Sequence, residues 1–512
     1  MTVHMGADVP DQTRARPTHR YNLSAALAVV VLAILARFLR VGVIENDHYA
    51  YLSLAHQVLH GDWPVRDFFD PGMPLSYIVS AAAAAVFGPN LLTEAFTSVI
   101  LFASGVLALY LCALRALNSA PAAFLLVLCV IALPPRLYGS SKVFVPMVGT
   151  LLAWRYADTR QTGHLAILGG WTGVAFLFRH DYTLIVGSAA IGLVAAMYWS
   201  SWRLLQRNLL VLFAGAAGVA APWLVYVEVH QGLGAYFASA LRYSIAEANR
   251  TVHAWPFVFY AVALVPAGML YIGRSGTRTL AREQVLFLGV LLFMSDIVFL
   301  RDDPVARLPD ALPATVLGLA VVVSAWLQRD ALERLVKIGV LTSCIGAIAA
   351  GVVVASRFGV PDLPQRWRLI SERLLEARPE IMPTPEDATL VRYIRRCVGV
   401  DARVLVVGFA PEMSVLSRRA FAGGRPYWSG GYYQHPSDIA RARAQLAREQ
   451  VGIVLFFDGE DAFRRNWPAL TADLQARGLQ SYSVRLPSRS VDVWLPLMTS
   501  PIDYVTGLPC HA

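Results

Sequence analysis

The sequence predicts a polytopic α-helical membrane protein, with about eleven transmembrane helices and a C-terminal α/β domain. Apolar residues make up 56% of the 512 residues, and the mean hydropathy of +0.50 is high for a soluble enzyme of this length. From about residue 366 the composition becomes that of a soluble protein. We therefore predict a disordered polar tail over 1–21, a membrane domain over 22–355 and a soluble domain over 366–512.

Eleven stretches of the membrane domain have few charges and are apolar enough to cross a bilayer as helices. The hydrocarbon core takes about 20 residues of α-helix, so the shorter stretches have soft boundaries. Small residues recur in them, as in "AGAAGVAAP" at 214–222, and favour close contacts between helices in lipid. The predicted spans cover residues 22–44, 91–117, 120–135, 143–157, 164–178, 181–200, 208–227, 255–272, 284–300, 310–327 and 335–355.

The basic residues predict how the chain is oriented in the membrane. They fall in every second connection between spans, and short cytoplasmic loops carry an excess of Lys and Arg. These residues are Arg14, Arg16, Arg20, Arg115, Arg155, Arg160, Arg203, Arg207, Arg274, Arg278, Arg282, Arg329, Arg334 and Lys337. The N-terminus is thus predicted to be cytoplasmic and the C-terminal domain extracytoplasmic, with the first span as an uncleaved signal anchor. The same loops explain the net charge of +9, so we expect no nucleic-acid partner.

The first external loop, residues 45–90, is unusually acidic for a chain in which only 15% of the residues are charged. Its acids are Glu45, Asp47, Asp62, Asp67 and Asp70. The apolar spacing in "YLSLAHQVLHG" and "PLSYIVSAAAAAVFG" predicts two short helices that do not span the membrane. Asp62 stands beside Gly61 in a predicted turn, and we interpret it as an ordinary turn residue.

Three further groups of ionisable residues lie at the predicted external ends of spans. Charged groups at membrane depth are costly, so each group is a candidate for function. The motifs are "PPRLYGSSK" with Arg136, Tyr138 and Lys142, "FLFRHDY" with Arg179, His180 and Asp181, and "RDDPVAR" with Arg301, Asp302, Asp303 and Arg307. The alternatives are a buried ion pair between Arg179 and Asp181, and a merely hydrated loop at residues 301–303.

The soluble domain is predicted to alternate strands and helices, which is typical of a small α/β layer domain. Ser437 is the predicted N-cap of a helix in "SDIARARAQLAREQ". Cys397 and Cys510 both lie in this domain, and an extracytoplasmic location permits a disulfide between them without requiring one. The predicted strands are "RVLVVGF" (403–409), "VGIVLFF" (451–457), "YSVRL" (482–486) and "VDVWLPL" (491–497).

An acid just past the first span, the pattern of an interfacial helix after it, and then "RDFFDPGMPL" together resemble the first external loop of the GT-C membrane glycosyltransferases. The likeness is closest to the bacterial branch related to the protein O-mannosyltransferases and the lipid A aminoarabinose transferase. "VVGFAPEMSVLSRR" is similar to a strand–turn–helix element in many periplasmic domains of that branch. This resemblance implies an inverting transfer of a sugar from a polyprenyl-phosphate-linked donor to an acceptor hydroxyl, at the outer face of the bacterial cytoplasmic membrane.

The chemistry of such a transfer assigns roles to the ionisable residues. A carboxylate must take the proton of the acceptor hydroxyl, and we predict Asp47 as this base, with Glu45 as the alternative. The developing charge on the leaving lipid phosphate needs cations, for which we predict Lys142, Arg179 and His180.

Four more side chains are predicted to position these groups or the substrates. They are Asp67, Asp70, Asp181 and Tyr138. For Asp67 and Asp70 the alternative is that they cap turns beside Pro71 and Pro74.

The predicted partners are a polyprenyl-phosphate sugar donor, a glycan, lipid or protein acceptor, and membrane lipids. No cofactor is predicted, and the many acids leave a divalent metal open although no ligand spacing indicates one. The alternative functions are a transporter or flippase for a lipid-linked glycan and a non-catalytic envelope assembly protein. Charges grouped at one face, with no evident internal repeat, favour the enzyme over the transporter.

Overall fold

The computed structural model describes most of the chain. It covers residues 23–41, 46–248, 279–299, 304–327, 363–376, 385–486, 489–497 and 502–510, with short pieces between 265 and 277. Several predictions lie outside these residues, namely those for Glu45, for the "RDD" of residues 301–303, for the tail over 1–21, for the span over 335–355 and for most of the span over 255–272.

Helices make up the described part of the predicted membrane domain. In chain order they are α1 (Leu23–Arg40), α2 (Asn46–Leu59), α3 (Pro74–Phe87), α4 (Leu91–Leu117), α5 (Ala120–Ala132), a 3₁₀ turn (Leu137–Ser140), α6 (Ser141–Thr159), α7 (Thr162–Phe178), α8 (His180–Tyr198), α9 (Trp202–His230), α10 (Leu233–Ala248), α11 (Arg282–Phe299) and α12 (Pro304–Leu327). A helix covers each predicted span that lies within the described residues, and α2 and α3 are the two short helices predicted in the external loop. By length and apolar composition α4, α8 and α9 can each cross a membrane, while the total number of crossings stays a prediction.

Small residues allow α7 and α9 to pack closely. A Cβ on Gly169 of α7 would lie 2.3 Å from the carbonyl oxygen of Leu212. A Cβ on Gly215 of α9 would lie 2.5 Å from the carbonyl oxygen of Ala166. Close backbone approach adds van der Waals contact, which favours helix association where lipid competes with apolar side chains. The close contact predicted from the small residues at 214–222 is therefore confirmed.

The two ends of the long helix α4 lie in different surroundings. At its C-terminal end Arg115 pairs with Asp158 of α6, and Gln284 of α11 donates a hydrogen bond of 3.0 Å to the same carboxylate. Because α4 has 27 residues, Leu91 at its other end is ~40 Å away, where it packs against the C-terminal domain. Connections that were predicted to be cytoplasmic thus meet at one end of the bundle, and the side of the membrane that this end faces stays a prediction.

The C-terminal part contains a four-stranded sheet in the order β1-β2-β4-β3. Its strands are β1 (Arg403–Val407), β2 (Val451–Phe456), β3 (Leu479–Arg485) and β4 (Ser490–Pro496), and the surrounding helices are α13 (Leu363–Ile370) with a π-helical turn (Ser371–Leu375), α14 (Pro385–Cys397), α15 (Glu412–Ser417), α16 (Pro436–Leu446), α17 (Glu460–Asn466) and α18 (Pro468–Ala476). β1 and β2 pair in parallel, whereas β4 pairs antiparallel with β2 and β3. All four predicted strands are confirmed, and β2 is buried along its whole length, as expected of a strand covered on both faces.

Two local features of this domain correct or complete the sequence predictions. The N-cap of α16 is His435, whose side chain accepts a hydrogen bond from the Ser437 amide. The prediction of Ser437 as the cap is wrong because Pro436 occupies the first helical position, so the helix starts two residues earlier than predicted. Cys397 and Cys510 form a disulfide, which ties the end of α14 to the last described residues.

The C-terminal domain is fastened to the external loop. The Gln57 side chain accepts a hydrogen bond from the Phe421 amide at 3.0 Å and donates one to the Phe421 carbonyl at 3.2 Å. Arg403 of β1 donates two hydrogen bonds to Asp62, at 2.5 and 3.1 Å. The interpretation of Asp62 as an ordinary turn residue is therefore wrong, because its partner lies 341 positions further along the chain, out of reach of any local pattern.

Candidate active site

A cavity of about 980 Å³ lies between the external loop, the membrane helices and the C-terminal domain. Its volume is typical of pockets that bind small molecules and cofactors. Six of the nine side chains predicted for the site line it: Asp47, Tyr138, Lys142, Arg179, His180 and Asp181. The fold therefore brings residues from three separate motifs of the sequence to one place.

Asp47 lies in the first turn of α2, where a carboxylate also interacts favourably with the helix dipole. Its Oδ2 atom accepts a hydrogen bond of 3.1 Å from Arg136 and one of 2.9 Å from the Tyr138 hydroxyl. Within the described part of the chain, Oδ1 has no hydrogen-bond partner, and the side chain is 46% exposed. One oxygen of Asp47 is thus held in place while the other can receive a proton.

The sequence predictions missed a further acid of the cavity, Glu94 in the first turn of α4. Its Oε1 atom lies 2.7 Å from Nε2 of His48, the residue next to Asp47, and both side chains line the cavity. The pair joins the start of α2 to the start of α4. A carboxylate inside a predicted span was the available signal, because such groups are costly in a membrane and are rarely placed there without a role.

Lys142 reaches the cavity from the first turn of α6, next to Ser140 and Ser141. Its ammonium group pairs with Asp310 of α12, and both side chains are buried. Asp310 was not among the predicted site residues, although it too is an acid in a predicted span. Lys142 and Arg179 are thus the lysine and the arginine that line the cavity within the described residues, and each is paired with a carboxylate.

Arg179 and Asp181 form an ion pair at the junction of α7 and α8, as the alternative prediction for "RHD" expected. The Arg179 guanidinium also lies 4.8 Å from the centre of the Tyr182 ring. Both members of the pair line the cavity, with side-chain exposures of 15% and 23%. The ion pair and the location at the cavity therefore occur together and do not exclude each other.

His180 is packed against the turn that "DPGMP" forms. Its backbone amide donates to the Gly72 carbonyl at 3.1 Å, and a Cβ on Gly72 would lie 2.7 Å from the imidazole Nδ1. Gly72 has a φ of +91°, so a side chain there would be excluded both by the backbone conformation and by the ring. The imidazole Nε2 lies 3.3 Å from the Tyr236 hydroxyl of α10.

Asp70 lies behind the cavity and shapes that turn. Its Oδ1 atom accepts hydrogen bonds of 3.1 Å from the amides of Gly72 and Met73, and its Oδ2 atom accepts one of 2.5 Å from the Tyr236 hydroxyl. Burial raises the pKa of the Asp70 carboxyl, and the hydrogen bonds oppose that shift. Asp70 thus links the external loop to α10 and does not line the cavity itself.

Asp67 is placed outside the cavity, in the turn before Phe68. Its carboxylate accepts hydrogen bonds from the Trp63 amide at 2.8 Å and from Arg66 at 2.7 Å. Partial burial acts to raise the pKa of the Asp67 carboxyl, but these hydrogen bonds and the charge of Arg66 outweigh it, so the pKa is lowered. Asp67 thus caps a turn, but this turn contains Pro64, whereas the alternative placed it beside Pro71 and Pro74; only Asp70 caps the turn at Pro71.

No protein-family model matches the chain, and no curated protein matches it either. Among solved structures it is similar to ArnT from Cupriavidus metallidurans, which was crystallised with undecaprenyl phosphate. The TM-score is 0.55 at 15% sequence identity, over 92% of this chain and 97% of that one. The chain has the fold of ArnT. ArnT is a GT-C aminoarabinose transferase, so the predicted polytopic GT-C fold with a C-terminal sheet is confirmed as a fold.

Proposed function

We propose that this protein transfers a sugar from a polyprenyl-phosphate-linked donor to an acceptor hydroxyl at the outer face of the cytoplasmic membrane. The observation that carries the proposal is one cavity lined both by Asp47, whose Oδ1 atom has no hydrogen-bond partner among the described residues, and by the cations Lys142 and Arg179. Inverting transfer from a lipid phosphate needs both groups. ArnT, which shares the fold, holds undecaprenyl phosphate in its crystal structure, and this supports a polyprenyl-phosphate donor here.

The donor phosphate is proposed to bind at the start of α6. Lys142, Arg179 and the first N–H groups of that helix would face the phosphate oxygens, with Ser141 as a further donor. The Ser141 hydroxyl lies 3.1 Å from the Tyr182 hydroxyl, which holds it at the cavity. Apolar side chains from the membrane helices continue the cavity and suit the polyprenyl chain; they include Leu101, Leu184 and Ile297.

In the proposed reaction Asp47 acts as the general base. Its Oδ1 atom takes the proton of the acceptor hydroxyl while the acceptor oxygen forms a bond to the anomeric carbon. The bond from that carbon to the phosphate oxygen breaks on the opposite face, so the configuration inverts and the lipid phosphate leaves with its charge. Arg136 and Tyr138 would keep the Asp47 carboxylate oriented. His180 and Asp181 would hold Arg179 and the phosphate in position. Glu45 stays the alternative base.

The membrane location fits this reaction. We propose a multi-pass protein of the cytoplasmic membrane with a cytoplasmic N-terminus and an extracytoplasmic C-terminal domain, as the distribution of arginines predicts. The disulfide between Cys397 and Cys510 supports an oxidising compartment for that domain. Transfer without a metal is also proposed, and undiminished transfer after treatment with EDTA would support it.

The function can be tested with the full-length protein in proteoliposomes that contain a radiolabelled polyprenyl-phosphate sugar and a cell-envelope extract as acceptor. Asp47→Asn should lower the rate of transfer by about 10²–10⁴-fold, the usual contribution of a general base, while binding of polyprenyl phosphate stays unchanged. Asp473→Asn is the matched control, because Asp473 pairs with Arg443 on the surface of the C-terminal domain.

The outcomes separate the candidate acids from one another. Full activity in Asp47→Asn with loss in Glu45→Gln would move the base to Glu45. Full activity in the double variant would reject the loop as the catalytic site. Movement of the labelled lipid across the membrane without any transfer would instead support the flippase alternative.

A further inference from the structure

One side of the cavity differs in chemistry from the side that carries Lys142 and Arg179. It is formed by α10 and by the segment of the C-terminal domain that follows β1. We name it the aromatic wall, and its members are Tyr243, Ser244, Glu247, Phe409, Tyr427 and Tyr433. Four of these side chains are aromatic, one is a small alcohol and one is a carboxylate. Among the described residues of α10 and the C-terminal domain, no lysine or arginine lines the cavity.

The rings of the aromatic wall are held in place by one another. Tyr243 stacks on Tyr433 with ring centres 6.1 Å apart, and Phe409 meets Tyr427 edge to face at 4.6 Å. The guanidinium of the buried Arg425 lies 4.5 Å from the centre of the Tyr433 ring and supports it by a cation–π contact. A wall that is already ordered loses little entropy when a ligand binds to it.

Aromatic rings beside a carboxylate suit an uncharged sugar. The faces of the rings carry partial negative charge and attract the C–H groups of a sugar ring. Sugar hydroxyls donate strong hydrogen bonds to a carboxylate. Oε1 of Glu247 accepts a hydrogen bond of 2.6 Å from the Tyr432 hydroxyl, so this carboxylate is oriented before a ligand arrives.

Two other kinds of acceptor fit this wall less well. A phosphorylated or otherwise anionic group would be repelled by the Glu247 carboxylate, and the six described residues of the wall include no lysine or arginine that would attract it. An extended peptide usually binds by adding a strand to a free sheet edge, but the edge strand β1 already bonds to the segment that follows α15. The Ala422 amide donates to the Val404 carbonyl at 2.9 Å, and the Trp428 amide donates to the Val406 carbonyl at 2.8 Å.

We propose that the aromatic wall is the acceptor subsite and that the acceptor is an uncharged carbohydrate, one of whose hydroxyls is presented to Asp47. This inference rests on the proposed function, because it assigns the acceptor of the same transfer. The sugar can belong to a free oligosaccharide or to the headgroup of a glycolipid, and the two sources share the chemistry that the wall recognises.

The test measures acceptor binding and donor binding separately on the full-length protein in nanodiscs. The acceptor probes are uncharged trisaccharides built from hexoses and pentoses, observed by saturation-transfer NMR, with a phosphorylated trisaccharide and a neutral serine-containing hexapeptide for comparison. The donor probe is a short-chain polyprenyl phosphate. A trisaccharide carried on a single-chain lipid distinguishes a glycolipid headgroup, which should bind more tightly, from a free oligosaccharide.

We expect at least one uncharged trisaccharide to bind, and to bind about tenfold more weakly to Phe409→Ala and to Glu247→Gln, as the loss of one stacking contact or one charged hydrogen bond predicts. Both variants should bind polyprenyl phosphate as the wild type does, which also verifies that they are folded. Lys142→Met should weaken the binding of polyprenyl phosphate and leave the binding of the trisaccharide unchanged. Asp473→Asn should change neither affinity.

Two results would overturn the inference. One is that the hexapeptide or the phosphorylated trisaccharide binds while every uncharged trisaccharide fails. The other is that both wall variants bind the trisaccharide with the wild-type affinity. In either case, retained donor binding that depends on Lys142 would leave the proposed function standing, whereas the loss of donor binding in the wild type would reject that function itself.

Discussion

Arg403→Met should loosen the attachment of the C-terminal domain to the external loop. The Arg403 guanidinium donates two hydrogen bonds to Asp62 and lies 3.3 Å from a carboxylate oxygen of Glu449. The variant removes the cation and leaves these two carboxylates together, while the methionine keeps much of the aliphatic volume.

The exposure of the pair sets the magnitude of the effect. Hydrogen bonds to charged groups contribute about 1.5–3 kcal/mol each when they are shielded from water. The side chains of Arg403 and Asp62 are 18% and 14% exposed, so solvent screens the pair in part. We therefore expect a coupling free energy of about 2 kcal/mol between the two residues, which corresponds to about a 30-fold change in an equilibrium constant.

Hydrogen exchange at two amides that cross the interface can measure this coupling. The Phe69 amide donates to the Gly424 carbonyl at 3.1 Å, and the Phe421 amide donates to the Gln57 side chain at 3.0 Å. Their exchange should accelerate about 30-fold in the Arg403→Met protein, whereas the amides of β2 should be little affected. Comparison with Asp62→Asn and with the double variant isolates the pairwise term.

The same domain contains a matched control pair with similar geometry. Arg443 donates two hydrogen bonds to Asp473, at 2.6 and 3.0 Å, but the two side chains are 51% and 29% exposed. The same cycle on this pair should give a coupling within the error of the measurement, because exposed ion pairs contribute little. Equal coupling for the two pairs would refute the argument from burial, as would unchanged exchange at Phe69 in the Arg403 variant.

Three further perturbations have expected outcomes. Asp310→Ala should lower the free energy of unfolding by about 3–5 kcal/mol, because it leaves the Lys142 ammonium buried without that carboxylate. The double variant Lys142→Met with Asp310→Leu should recover most of this loss, as measured by thermal unfolding. Burial raises the pKa of Glu412 to about 7, so the folded domain holds this proton more tightly than the unfolded chain, and its melting temperature should fall as the pH rises from about 4.5 to 7. Glu412→Gln should flatten that profile, and a profile of unchanged slope would contradict the assignment. Cys510→Ser should destabilise the C-terminal domain by about 2–5 kcal/mol, because its bridge to Cys397 closes a separation of 113 residues; an unchanged denaturation midpoint would show that the bridge constrains little.

Local patterns were sufficient to predict the secondary structure. The apolar runs gave helices at each span within the described residues, and short apolar or alternating segments gave the four strands. The single failure of this kind, the cap at Ser437, came from a proline one position earlier that begins the helix. Helical and strand periodicity depend on residues a few positions apart, which is the range that a sequence displays directly.

The candidate site was predicted only in part, because its side chains were identified by type and not by partner. The cost of charge in a membrane indicated Asp47, Lys142 and Arg179, and these three do line one cavity. It also applies to Glu94 and Asp310, which the sequence predictions overlooked although both acids stand in predicted spans. Asp67 belongs to the same external loop as Asp47 and yet lies outside the cavity.

The pairing of charges that lie far apart in the sequence was decided by tertiary structure alone. His48 meets Glu94 across 46 positions, Lys142 meets Asp310 across 168, and Arg403 meets Asp62 across 341. Composition and periodicity establish which segments are helices and where acidic residues are concentrated along the chain. They do not establish the partners, because a segment can bury its apolar face against any neighbour. Which oxygen of Asp47 stays open depends on where Arg136 and Tyr138 are carried by the packing of α4, α5 and α6, and only the folded chain determines that.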